Sequence, residues 1–143
     1  MGRVISLIYG LIFDLQGIAA EHDLSKLEEP EKSIFDKFTP KLKSSTYGSD
    51  EYKAHLKEMS IAIDHHYKNN RHHPEFHENG ISDMNLVDLI ELLCDWKAAS
   101  ERHVDGDIRE SIRINSTRFG IEPQLVRILL NTVDYLNELE GKK

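Results

Sequence analysis

The sequence contains a single cysteine, Cys94, among 143 residues. One cysteine excludes an internal disulfide framework and a cysteine-rich zinc site, and it fits a reducing compartment. The chain also lacks an excess of positive charge, because 18 Lys and Arg against 25 Asp and Glu give a net charge of −7. Affinity for a phosphate backbone needs a basic surface. We therefore expect neither a DNA nor an RNA duplex as a partner.

Long uninterrupted apolar runs are missing as well. The longest run, residues 4–13, follows Arg3 and leads into Asp14 and Gln16. It is shorter than the roughly 20 apolar residues that span a bilayer, and no small-residue cleavage site of a signal peptide follows it. We therefore expect a buried first helix, no membrane partner and a cytoplasmic protein.

Alternating apolar and polar runs, which are typical of β-strands, do not exceed four residues, whereas helical periodicity extends along nearly the whole chain. The sequence therefore predicts an all-α, single-domain helical bundle of about five to seven helices over residues 1–143. The predicted helices cover residues 3–21, 28–43, 50–70, 84–103 and 108–119, and a last helix lies between Pro123 and Gly141. Residues 44–49 are predicted as a loop, with Ser49 or Asp50 as the following N-cap and Gly120 as a helix stop.

Histidine is the residue type in excess, with eight copies, five of them within residues 65–77. The apolar spacing of the third predicted helix continues to His66, which should face the interior, with His65 about 100° further round. His73 follows across the helix end before Pro74, where a turn can bring the two imidazoles to one point. Neutral imidazole is the commonest protein ligand of transition metals. A satisfied core histidine and a chance surface cluster are the alternatives.

A second pattern combines His22, Asp23 and Lys26 near the end of the first predicted helix. Adjacent histidine and aspartate side chains can bind one metal together, and the carboxylate can also bridge to a second ion. Lys26 lies one turn further on, directed at the same place, where it would contact phosphate or donate a proton. A His–Asp pair on its own is expected by chance in many chains.

The fourth predicted helix, 84–103, is the most apolar and should be central and mostly buried, yet it carries Asp88, Glu91 and Asp95 on one stripe. A desolvated carboxylate needs a cation, a hydrogen-bond donor or a metal. We expect Asp95 to be the most desolvated of the three and the indispensable carboxylate. For Asp88 and Glu91, capping of neighbouring helix ends or pairing with Lys and Arg is the alternative.

These motifs carry a resemblance to known proteins. The order of His22 and Asp23, then His65 or His66, then His72 or His73, then Asp95 resembles the HD superfamily of metal-dependent phosphohydrolases. The chain is also similar, over about residues 4–134, to a family of small phage and bacterial proteins of unknown function. The segments that carry this second resemblance are 22–26 (HDLSK), 70–75 (NRHHPE), 88–91 (DLIE) and 94–99 (CDWKAA).

The resemblance implies an HD-domain-like bundle holding one or two divalent transition metal ions, of Mn, Fe, Co, Ni or Zn. The superfamily also places a ligand histidine on the first helix, at a position that falls at or just before Met1, whereas residues 1–21 contain no histidine. The carried-over metal ligands are His22, Asp23, Asp95, His66 and His73, with His65 and His72 as alternates, Asp88 and Glu91 orienting the histidines, and Asp23 and Lys26 as catalytic residues.

The function implied is hydrolysis of a phosphate ester, expected to be a nucleotide, by metal-activated water in the cytosol of a bacterial or phage-infected cell. The alternative is a non-catalytic module that binds a nucleotide or a protein and holds a structural metal. A homodimer stays open. The side chains available to bind phosphate are Lys26, Arg71, Arg113 and Arg118, and a solvated face with i,i+4 pairs is the alternative for these basic residues.

Overall fold

The computed structural model describes residues 2–45, 49–102 and 104–141, and every regular element in these ranges is helical. The all-α prediction is therefore confirmed, with seven α-helices in the described ranges. Predicted loop residues 46–48, His103 and Met1 lie outside the described residues. The helices are α1 (Gly2–Glu21), α2 (Glu31–Ser44), α3 (Asp50–Glu58), α4 (Ser60–Asn69), α5 (Leu86–Ser100), α6 (Ile108–Phe119) and α7 (Pro123–Leu139), with 3₁₀ turns at Leu24–Leu27, Pro74–Phe76 and Gly80–Asp83.

Helix ends follow local capping chemistry. The Ser49 side chain accepts the Tyr52 N–H at 3.1 Å, which confirms Ser49 as the N-cap of α3. The predicted stop of α6 is also confirmed, because Gly120 has φ 61°, a left-handed conformation that glycine adopts without a Cβ clash. The predicted helix 50–70 is divided at Met59, whose backbone (φ −82°, ψ −6°) departs from regular α-helix.

The start of α5 is a capping box. The Asn85 side chain accepts the N–H groups of Val87 and Asp88 at 2.8 and 2.9 Å, and the Asp88 carboxylate accepts the Asn85 N–H at 3.0 Å. The helix therefore begins at Leu86, two residues after the predicted start. Asp88 caps its own helix and not a neighbouring one, and its role in orienting histidines stays a prediction.

The residues group into two compact units, Met1–Glu78 and Asn79–Lys143. The second unit has an apolar core in which side chains of α5, α6 and α7 pack together with Ile121. The buried members of this core are Leu93, Ile112, Ile121, Leu129 and Val133. The single domain predicted over residues 1–143 stays a prediction.

The first unit has a different interior. Here α2 packs against α4, and the 3₁₀ turns Leu24–Leu27 and Pro74–Phe76 pack against this pair. Polar side chains share the interior with apolar ones, since buried Glu31, His66 and His72 accompany Phe38, Met59 and Ala62. The candidate site lies among these polar side chains.

The burial predicted for α1 is wrong. No residue of α1 is buried, and Phe13 is 78% exposed. Gly2–Leu27 is also the one helical stretch among the described residues that is long and apolar enough to cross a membrane, so the expectation that this region is too short is wrong as well. A signal sequence and a core helix share that composition. The cytoplasmic location stays a prediction.

The burial predicted for α5 holds on one side only. Leu92 and Leu93 are buried, whereas Leu86 is 76% exposed. Asp88 is the most buried of the three carboxylates, and Asp95 is partly exposed. The expectation that Asp95 is the most desolvated is therefore wrong. The capping box explains the outcome, because the Asp88 carboxylate exchanges water for a backbone donor.

We expect Asn85→Ala to lower the free energy of unfolding by about 1 kcal/mol, because two helix N–H groups lose their acceptor. Urea denaturation measures this change. Asn131→Ala is the matched control, since Asn131 is exposed inside α7, where alanine favours the helix. Equal destabilisation by both variants would contradict the capping role.

Candidate metal centre

Asp23 follows the end of α1 in an unusual backbone conformation. Its φ of 59° and ψ of 18° lie in the left-handed region, where aspartate is enriched among non-glycine residues. This conformation starts the 3₁₀ turn Leu24–Leu27, and the Lys26 N–H donates to the Asp23 carbonyl at 2.9 Å. The Lys26 ammonium also donates to Asp23 Oδ2. Lys26 is therefore held against the carboxylate that the sequence analysis pairs with it.

The end of α4 and the turn that follows it position the histidines of the site. His66 lies in the last turn of α4 and is buried, as the helical spacing predicts. Pro74 disfavours helical backbone at the residue before it, and His73 is extended with φ −93° and ψ 129°. The chain reverses there, so the ring of His73 lies 4.8 Å from that of His66 and 4.1 Å from that of His72.

Four side chains of the first unit converge. One ligand atom from each of Asp23, His66, His72 and His73 lies within 4.8 Å of all the others. Two imidazole nitrogens face the same carboxylate oxygen, because Asp23 Oδ1 lies 3.3 Å from His66 Nε2 and 3.6 Å from His72 Nε2. Three imidazoles and a carboxylate form a donor set typical of Zn, Fe, Co, Ni or Mn.

Two atoms of this group are buried without a hydrogen bond. Asp23 Oδ1 and His73 Nε2 have no hydrogen-bond partner among the described residues. A buried acceptor without a donor is costly, and such groups in native structures call for an explanation. A divalent cation among the four side chains would be a partner for both atoms, so the residues fit a metal.

The electrostatics of the group favour the forms that bind metals. Burial acts to raise the pKa of Asp23, but the hydrogen bond from the Lys26 ammonium and its positive charge lower it, and the pKa lies well below its usual range. Burial lowers the pKa of His73 to about 3, and the neighbouring His72 and His66 act in the same direction. At neutral pH the site therefore holds an ionised carboxylate and a neutral His73.

The structure brings together three of the predicted ligands, Asp23, His66 and His73, and adds the alternate His72. His22 lies beside this group, with Nε2 at 3.4 Å from Asp23 Oδ2 and its ring 4.7 Å from that of His72. His65, the other alternate, does not belong to the group, and its Nδ1 lies 2.7 Å from Glu31 Oε1.

The remaining predicted residues do not belong to this group of four. Asp95 and Glu91 are partly exposed on α5 in the second unit, and the ligand role of Asp95 stays a prediction from the resemblance. Arg113 pairs with Glu110 at 2.7 Å along α6, an exposed i,i+3 pair that fits the solvated face of the alternative, though at another spacing than i,i+4. The other two arginines lie over rings, Arg118 at 4.6 Å from the Phe119 centroid and Arg71 at 5.5 Å from the Phe76 centroid.

Glu31 is the residue that the sequence analysis missed. It is fully buried at the start of α2, and its oxygens lie 2.7 Å from His65 Nδ1 and 2.9 Å from His66 Nδ1. A signal was present, because Glu31 shares a face of α2 with Phe35 and Phe38 at spacings of four and seven residues. A carboxylate on an apolar face needs a partner, the same argument that singled out Asp88.

Comparison with known proteins places the chain in a family. It matches the family of unknown function DUF5662 over residues 3–135. The chain belongs to this family. No curated protein and no solved structure matches it. Membership therefore assigns no activity, and the function is inferred from the site.

We expect the metal-free protein to lose stability below about pH 6.5. Below that pH His73 binds a proton in the unfolded chain, whereas in the folded protein it stays neutral down to about pH 3. This residue would contribute a slope of up to about 1.4 kcal/mol per pH unit in that window. Denaturant unfolding in the presence of a chelator measures the slope.

His73→Gln is expected to make that slope shallower, since glutamine does not titrate. His55→Gln is the control, because His55 lies on α3 outside the group of four. A slope for His73→Gln equal to that of the unchanged protein would show that His73 does not carry the effect.

Proposed function

We propose that this protein is a metal-dependent phosphohydrolase that cleaves a phosphate ester of a nucleotide. The observation that carries the proposal is the convergence of ligand atoms from Asp23, His66, His72 and His73 within 4.8 Å. The resemblance to the HD superfamily supports the reaction class.

The four side chains would hold the metal. Their buried atoms without hydrogen bonds, Asp23 Oδ1 and His73 Nε2, are the first candidates for ligand atoms. When bound there, a divalent metal polarises the phosphoryl oxygen and lowers the pKa of water. His22, beside Asp23 and His72, is a further imidazole within reach of the same centre.

Lys26 supplies the positive charge next to the carboxylate. Its ammonium contacts Asp23 Oδ2 and its side chain is 38% exposed, so it faces both the candidate centre and solvent. We propose that Lys26 binds a phosphate oxygen of the substrate while Asp23 keeps the ammonium in place. A charge-assisted hydrogen bond of this kind favours an ester carrying a full negative charge.

We expect the purified protein to bind a divalent transition metal and to release phosphate from members of a nucleotide panel only when that metal is present. Asp23→Asn and His66→Gln should lose both properties, because each removes a ligand atom. Elemental analysis and a phosphate-release assay measure the two properties. Asp36→Asn and His77→Gln are matched controls, since neither residue belongs to the group of four.

If the unchanged protein contains no bound metal and releases no phosphate, the proposal is wrong. Tight metal binding without turnover of any phosphate ester would favour the non-catalytic binding module instead. Equal metal content in Asp23→Asn and Asp36→Asn would show that the metal is held elsewhere.

Lys26→Ala should lower kcat/KM for the best nucleotide substrate by roughly 10-fold or more, as expected for loss of a hydrogen bond to a charged group. Metal content should stay unchanged, because Lys26 is not a ligand. Lys32→Ala is the control, since Lys32 pairs with Asp36 on the surface of α2. Unchanged kcat/KM in Lys26→Ala would make Lys26 an ordinary surface lysine.

A further inference from the structure

Glu31, Ser25 and Asn70 form a hydrogen-bond network around one ring nitrogen of His66. Three polar atoms surround His66 Nδ1, namely Glu31 Oε2 at 2.9 Å, Asn70 Nδ2 at 3.1 Å and Ser25 Oγ at 3.3 Å. The protons that these neighbours can donate decide whether Nδ1 donates or accepts a hydrogen bond.

The neighbours have no proton left for His66 Nδ1. The Ser25 hydroxyl donates its one proton to Glu31 Oε2 at 3.0 Å. The two N–H groups of Asn70 are accounted for by Ser25 Oγ and the His66 carbonyl, both at 2.8 Å. An ionised carboxylate only accepts hydrogen bonds. His66 Nδ1 must therefore carry the proton and donate it to Glu31.

The opposite ring nitrogen, Nε2, then carries a lone pair and no proton. His66 Nε2 lies 3.3 Å from Asp23 Oδ1, an oxygen that has no hydrogen-bond partner among the described residues. Two electron-rich atoms facing each other at this distance repel unless a cation lies between them. A carboxylate that accepts the remote N–H of a ligating histidine fixes its tautomer and ring orientation and raises its basicity.

We propose that Glu31 is a positioning residue that holds His66 in the Nδ1–H tautomer and so creates the lone pair facing Asp23. This inference rests on the proposed function, because it assigns His66 Nε2 as a metal ligand. Glu31 contacts Nδ1 of His65 and Nδ1 of His66, whereas Asp23 faces Nε2 of His66, and Glu31 is not itself in the group of four.

The test uses the full chain labelled with ¹⁵N-histidine, free of metal, at a pH well above the ordinary histidine pKa of about 6.5. Two-bond ¹H–¹⁵N correlation spectra identify which ring nitrogen carries the proton. The unchanged protein should show His66 with Nδ1 protonated and Nε2 free. A His66 signal with Nε2 protonated, or an imidazolium, would overturn the inference.

Glu31→Met removes the acceptor while keeping most of the side-chain volume. We expect it to abolish the single tautomer of His66 and to weaken Co²⁺ or Zn²⁺ affinity by roughly 10–100-fold. Glu58→Met is the matched control, because Glu58 is exposed at the end of α3. If Glu31→Met keeps the tautomer and the metal affinity of the unchanged protein, Glu31 has no positioning role.

Glu31→Gln provides a second variant in case the apolar substitution prevents folding. A glutamine amide accepts at its oxygen and donates at its nitrogen, so it cannot accept from both His65 and His66. One of these histidines should therefore move its proton to Nε2. Unchanged tautomers of both histidines would overturn the inference.

The two proposals fail in different ways. A protein that binds no metal would contradict the proposed function. The tautomer of His66 is measured without metal, so the spectra would still test the positioning role of Glu31. A protein that binds metal and releases phosphate equally well with and without Glu31 keeps the proposed function and loses the inference.

Discussion

A fully buried carboxylate needs hydrogen-bond donors, and the first unit is organised around this requirement. Glu31 has no exposed surface, and it meets the Ser25 hydroxyl, His65 and His66 at 2.7–3.0 Å. These contacts join the 3₁₀ turn Leu24–Leu27, the start of α2 and the end of α4. Since an unpaired buried charge is strongly unfavourable, the three segments are tied to a common arrangement. Asp23 and His66 are placed by the same segments.

The two units bury different chemistry. The second unit encloses aliphatic side chains such as Leu93, Ile112 and Val133, as an ordinary helical core does. The interior of the first unit holds Glu31, His66 and His72, and two buried atoms in it have no hydrogen bond among the described residues. Local departures of this kind from polar satisfaction concentrate at functional sites, where stability is given up for chemistry. The candidate site lies among these polar side chains of the first unit.

Composition identified α1 as a helix but misjudged its surroundings. Its apolar residues occupy all faces, a pattern that predicts burial in a core or a membrane, yet none of its residues is buried in the structure. For the carboxylates of α5 as well, composition alone did not predict burial. Asp88 and Asp95 lie on the same apolar helix, yet Asp88 is the more buried because its carboxylate accepts a hydrogen bond from the Asn85 N–H, one turn earlier.

The sequence by itself determined the helical class, several helix ends and the inward direction of His66, because capping, proline and glycine conformation and the 3.6-residue period act within a few residues. It also brought Asp23, His66 and His73 forward as ligands, by residue type and by resemblance. Only the tertiary structure decided that Glu31 meets His66, 35 positions away, and that His72 joins His73 while His65 does not. Such choices depend on how α2 packs against α4 and on which ring nitrogen faces which oxygen, and no local pattern carries that information.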